Sequence, residues 1–268
     1  MKIKISNFDF TECWNGVLYK KLSSYPHITD WEIQTILDFI RYEEAHGRTC
    51  DIEADDDILR AISQYRPTYD SGIRVPTPAR ITECTACPTY KGCMTDFVCH
   101  TSSAENAKKI LSCGSLYSAV RARNLPAEVL QAEPRNAAND PADYFDYVML
   151  AWGNCQAGDR LVMERKLGRF PNETDLSTDF TPGVRFYFRY DALCKHPDAV
   201  FEGVLPLKIK DEIILRDWVY AIVIPEAHRA DLDDFIPDDL RDKIHYLDND
   251  CSDIWAWSDK VYAYIKAL

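Results

Sequence analysis

Apolar residues recur at helical spacing early in the chain. Ile33, Ile36, Leu37 and Ile40 follow Thr29 or Asp30 as cap, with Glu32 in the first turn, and predict an amphipathic helix over residues 28–46, ending before Gly47. A second helix is predicted over Asp55–Tyr65, with Ile58, Leu59 and Ile62 inward and three aspartates at its positive N-terminal end. Residues 66–80 then hold three prolines and a glycine, which favour extended chain and turns, and read as a connector. Beyond it the pattern becomes mixed. Phe97–His100 reads as a short strand, followed by a helix with a Ser102/Glu105 capping box, an apolar face of Ala107, Ile110 and Leu111, and Gly114 at its end. Val184–Tyr190 alternates, with Val184, Phe186, Phe188 and Tyr190 on one face and Arg185, Tyr187 and Arg189 on the other. Glu212–Leu215 and Trp218–Ile224 are two further apolar, β-branched runs. Strand, helix, irregular middle and several strands make an α+β class rather than regular βαβ.

Three regions follow from this pattern. Residues 1–80 are expected to form a helical appendage with its Pro-rich connector, and 81–226 an α+β core that opens on a cysteine cluster. Residues 227–268 form the third region, and Glu226–Leu268 carry eleven acids against five Lys/Arg. Ile254, Trp255, Trp257, Val261, Tyr262 and Ile265 make that segment too apolar for a solvated acidic tail, so a closing helix packed on the core is expected.

Composition narrows the function classes. With 46% hydrophobic residues the 268-residue chain has material for a core, which excludes intrinsic disorder. A net charge of −12 argues against non-specific coating of nucleic acid, while leaving room for one local contact patch. Its members would come from Lys108, Lys109, Arg121, Arg123, Arg185 and Arg189. The start, MKIKISNFDF, lacks the apolar region of a secretory signal, and the apolar stretch Val219–Ile224 is far shorter than the roughly 20 residues that span a bilayer. Ten cysteines without such a signal point to a reducing compartment, so a cytoplasmic protein without membrane partners is expected; oligomeric state is left open.

Cys84, Cys87, Cys93 and Cys99 fall within ECTACPTYKGCMTDFVCH. Cys84-x2-Cys87 is a spacing at which two thiolates grip one metal, and Gly92 lets the backbone fold back toward Cys93. A fourth ligand from Cys99 or a distant cysteine would complete a zinc site or hold an iron–sulfur cluster; buried free thiols are the alternative. Cys155 has no partner histidine positioned by the sequence, which leaves a thiol nucleophile unsupported.

The run FVCHTSSAENAKKILSCGSLYSA, residues 97–119, resembles the first strand and helix of the ADP-ribosyltransferase superfamily, where a His and small hydroxyl residues precede a helix ending in a glycine turn. Two further segments stand in the expected order. FDYVMLAW at Phe145–Trp152 resembles the HDYVPFYF segment of DarT-type transferases, which modify DNA bases using NAD, and KDEIILRDWVYAIVIPEAHR at 210–229 resembles the last part of that fold.

That resemblance implies an ADP-ribosyltransferase-like mixed sheet and places the catalytic glutamate at Glu212. It implies that His100 donates a hydrogen bond to the adenosine ribose and that the backbone of Thr101 pairs with the nicotinamide amide. Tyr117 and Tyr147 compete for the stacking aromatic, and Arg121 and Arg123 are candidates for the NAD phosphates, to which guanidinium geometry is suited. Lys210 stands two before Glu212, where several branches carry Gln or Glu that helps choose the acceptor. The chemistry itself asks for a carboxylate, because breaking the nicotinamide–ribose bond passes through an oxocarbenium-like state. The expected function is transfer of ADP-ribose from NAD to a macromolecular acceptor, nucleic acid ahead of protein. The alternative is a non-catalytic zinc or iron–sulfur interaction protein organised by Cys84, Cys87 and Cys93.

Overall fold

The computed structural model describes residues 1–8, 11–14, 17–76, 96–132 and 142–268. The chain divides into two units, each assembled from separate stretches: Met1–Thr95, Gln131–Pro141 and Val200–Leu207 in the first, Asp96–Leu130, Ala142–Ala199 and Lys208–Leu268 in the second.

The first unit contains β1 (Lys2–Ser6), β2 (Glu12–Trp14), β3 (Val17–Lys21), α1 (Asp30–Ala45), β4 (Asp51–Glu53) and α2 (Asp56–Asp70). Thr29 and Glu32 form a reciprocal capping box that starts α1. From there Ile33, Ile36, Leu37 and Ile40 bury against Ile58 and Ile62 of α2 and Ile3, Ile5 and Leu18 of the sheet. Each such side chain contributes roughly 1.5–3 kcal/mol on burial. The sheet has the order β2-β3-β1-β4, with β1 parallel to both β3 and β4. This sheet corrects the expectation of a purely helical appendage: Ile3 and Ile5 alternate inward along only five residues, a period too short to register against the helices. The first five residues of the expected connector are likewise helical, because α2 runs through Pro67 to Asp70.

Within the second unit lie β5 (Phe97–Ser102), α3 (Ala104–Cys113), β6 (Ser115–Tyr117), α4 (Ala119–Arg123), α5 (Ala127–Gln131), β7 (Tyr147–Trp152), α6 (Ala157–Leu167) and α7 (Glu173–Leu176). Then come β8 (Val184–Arg189), α8 (Tyr190–Leu193), β9 (Ala199–Val200), β10 (Leu207–Lys210), β11 (Glu212–Ile214) and α9 (Leu215–Trp218), with Val200 of β9 and Leu207 of β10 falling in the first unit's stretch. Finally β12 (Ala221–Pro225), α10 (Arg229–Leu232), β13 (Ile244–Leu247) and α11 (Ile254–Ala267) close the chain. The large sheet has the order β13-β12-β8-β5-β7-β10-β9, and β11 and β6 form a separate two-stranded ribbon. Antiparallel pairs join β5 to β7 and β8, and β8 to β12, while β12 and β13 run parallel. The class is mixed α+β. Trp257, Val261 and Ile265 of α11 pack with Cys99, Tyr187 and Val223, so the acidic C-terminal stretch supplies one wall of this unit's core.

From Val184 to Phe188 both faces of β8 are covered, which corrects the expectation of Arg185 as a member of a local contact patch, while Arg189 at the strand's end is exposed. Arg185 is fully buried and paired with Asp159 of α6, and it also donates to Ser258 of α11 and to the Tyr187 hydroxyl. Asp159 in turn accepts from the Gly183 amide at 2.8 Å. A guanidinium held this way has no surface to offer a nucleic acid. Among the described residues no helix is long and apolar enough to cross a membrane.

Candidate functional site

The candidate site is built where the chain changes sheets. β10 ends at Lys210, and Asp211 takes a left-handed conformation (φ 65°) before β11 begins. Asp211 is tied on both sides of its backbone: its N–H donates to the Asp146 carbonyl at 2.9 Å, and its carbonyl accepts from the Ser118 N–H at 2.7 Å. The short strand β11 then pairs antiparallel with β6, placing Glu212 opposite Tyr117 and Ile213 opposite Leu116. Ile213 and Leu116 are buried, so alternation turns Glu212 and Tyr117 outward, and both are half-exposed.

Helix α4 brings the third member. Ser118 caps it by accepting from the Arg121 N–H, and the Arg121 guanidinium lies 4.2 Å from the centre of the Tyr117 ring. Its Nη1 donates to Asp211 Oδ2 at 2.6 Å and lies 2.9 Å from Glu212 Oε2. Hydrogen bonding and charge from these carboxylates raise the Arg121 pKa further above its already high ordinary value. The side chains are 40% exposed for Arg121, 55% for Asp211 and 26% for Glu212, so solvent screens each pair and it is easily exchanged for another partner. Glu212 and Asp211 also line a cleft of about 250 Å³ with His196, Pro197, Asp198, Lys210 and Ile214. His196 stands against Trp218 with ring centres 4.9 Å apart, and its Nδ1 accepts from the Asp198 N–H at 3.1 Å.

The structure therefore brings Glu212, Tyr117 and Arg121 together. His100 and Thr101 lie on β5 and belong to a different set of contacts. His100 Nδ1 is 3.1 Å from the Met149 carbonyl, which can only accept, so Nδ1 carries the proton. Burial lowers the imidazole pKa and favours the neutral ring, whose Nε2 is then an acceptor. With Nδ1 taken by Met149, Nε2 is the ring nitrogen left to meet a ligand. Thr101 sits in register with Arg185, and its side chain is packed so closely on two glycines that a Cβ at Gly158 or Gly183 would come within 2.4 or 2.7 Å of it.

Of the two competing aromatics, Tyr117 stands beside Glu212. Tyr147 is engaged elsewhere, its ring 4.3 Å from the buried Lys208 Nζ, which also lies 3.9 Å from the Tyr144 ring. Arg123 is exposed at the end of α4. Cys84, Cys87 and Cys93 lie outside the described residues. Cys99 is buried in the core, where its thiol donates to the Trp152 carbonyl and desolvation pushes its pKa up to about 12, the opposite of a metal-ligating thiolate. Among the described residues no group of three or more His, Cys, Asp or Glu side chains is placed to hold a metal.

Asp211 and His196 went unread in the sequence. The only signals for them were a polar Lys-Asp-Glu break between two apolar runs and a His-Pro-Asp turn. Compared with protein-family models, curated proteins and solved structures, the chain finds no match.

Proposed function

We propose that this chain is an NAD-dependent ADP-ribosyltransferase-like enzyme that cleaves the nicotinamide–ribose bond and passes ADP-ribose to a macromolecular acceptor. The observation that carries the reading is the placement of Glu212: an outward carboxylate on the rim of a cleft, with a tyrosine opposite it and an arginine within 2.9 Å. In this reading the NAD diphosphate pairs with Arg123 at the exposed end of α4, and the nicotinamide ring stacks at Tyr117. His100 accepts a hydrogen bond from a ribose hydroxyl. Glu212 faces the anomeric carbon as the C–N bond breaks, its electron pair leaving on the nicotinamide nitrogen, and stabilises the oxocarbenium-like cation. The acceptor then bonds to that carbon and gives up its proton to Glu212.

Release of nicotinamide from NAD tests the reading. Glu212→Gln keeps size and most hydrogen bonding but removes the charge, so kcat should fall on the order of 10²–10³. KM should change little, since the interaction matters chiefly in the transition state. A wild-type chain that releases no nicotinamide, or a Glu212→Gln variant as active as wild type, ends the proposal.

A further inference from the structure

We infer that Asp211 is a positioning residue for Glu212, one that competes for Arg121 and so leaves the negative charge of Glu212 toward the ribose only partly compensated; the inference rests on the transferase reading above. Two separate features of Asp211 carry it. Its left-handed turn, with both backbone groups hydrogen-bonded, carries the chain out of the seven-stranded sheet and sets the register in which Glu212 faces Tyr117. Left-handed backbone is strained for most residues and tolerated best by Gly, Asn and Asp, and such strain concentrates at functional positions.

The side chain adds an electrostatic role. One guanidinium nitrogen serves two carboxylates, and it is closer to Asp211, at 2.6 Å, than to Glu212, at 2.9 Å. Asp211 is half in solvent, so its own field at the ribose is screened and its effect runs through Arg121: while Asp211 holds the guanidinium, Glu212 is neutralised only in part. Remove the Asp211 charge and Arg121 belongs to Glu212 alone. The pair is then neutral, and an oxocarbenium-like state gains far less from it. Asp211 touches no reacting atom in this arrangement and acts through Arg121 and Glu212.

A double-mutant cycle on nicotinamide release tests this, because Asn and Gly both accept the left-handed turn and both lack the charge. Asp211→Asn should lower kcat about tenfold while KM stays within about twofold, and Asp211→Gly should do the same if the Asn variant folds poorly. In an Arg121→Gln background the same Asp211→Asn change should alter kcat by less than about twofold, since no guanidinium is left to reassign. A residue that merely holds the fold together would cost as much in either background. The inference is overturned by an unchanged kcat in Asp211→Asn, or by an equal loss with and without Arg121. If either occurs while Glu212→Gln is inactive, the transferase reading stands and only the role of Asp211 falls. A wild-type chain that releases no nicotinamide removes both.

Discussion

Asp159→Asn should be among the most damaging single changes in the second unit. The carboxylate of Asp159 and the guanidinium of Arg185 are both fully buried, and Arg185 has no solvent to fall back on once its counter-charge is gone. Removing one partner of such a pair strands the other charge in a low-dielectric interior, which costs about 3–5 kcal/mol. Against a total stability of about 5–15 kcal/mol that is a large fraction, and it corresponds to a melting temperature lowered by about 6–20 °C. Urea titration followed by tryptophan fluorescence and far-UV circular dichroism gives the loss directly. The informative companion is the double variant Asp159→Leu with Arg185→Met. It removes both charges and keeps most of the volume, so it should recover to within about 2 kcal/mol of wild type. A cost below about 1 kcal/mol for Asp159→Asn, as surface pairs show, would refute the burial argument. So would a double variant no better than the single one.

Two further outcomes are expected. Gly203 has φ +80°, and a Cβ there would lie 2.0 Å from the Thr35 carbonyl oxygen and 2.8 Å from Phe39 Cβ, so Gly203→Ala should cost about 2–4 kcal/mol in urea unfolding. Gly72, at φ +86° with nothing within 4 Å, should lose only about 1 kcal/mol on the same change, and equal losses at the two sites would show that the close approach is unimportant. The second outcome concerns pH. Burial lowers the pKa of His100 and of His245, so the unfolded chain takes up protons there before the folded one does. Their stability contribution is full above the ordinary histidine value of about 6.5 and is lost as pH falls through it toward the folded values. Melting temperatures between pH 7.5 and 5 should therefore decline, with a shallower slope in His100→Gln; an unaltered slope would rule His100 out as a contributor.

Local capping chemistry was the most legible part of the fold. Thr29 and Glu32 announced α1, and Gly114 marked the end of α3, where it adopts φ 70°. The start of α3 was read one residue early, because Ser102 and Ser103 are chemically alike and only Ser103 makes the capping bond. Burial was less legible. The alternation along β8 located a strand, but a period of two cannot tell whether the second face is solvated or covered. Here it is covered, because an aspartate 26 positions earlier and a helix some 70 positions later meet Arg185. At the candidate site, Glu212, Tyr117 and Arg121 were each singled out from the sequence, and the structure places them side by side. Asp211 stayed hidden because a left-handed turn between two strands needs no glycine when an aspartate tolerates it.

The patchwork make-up of the first unit has a consequence for biosynthesis. Glu202 is fully buried, and Gly203 presses on the backbone of α1 at Thr35 and Phe39, yet both residues come from the stretch Val200–Leu207. When α1 and α2 have left the ribosome, the piece that covers them has not been translated. At about 5–20 residues per second the nascent chain waits on the order of 10–30 s with that part of its apolar surface uncovered. Most of the second unit's strands emerge during the same interval. The N-terminal stretch is therefore the first to be made but not the first able to finish folding, and a fragment ending at residue 95 would leave the ribosome without the segment that seals it.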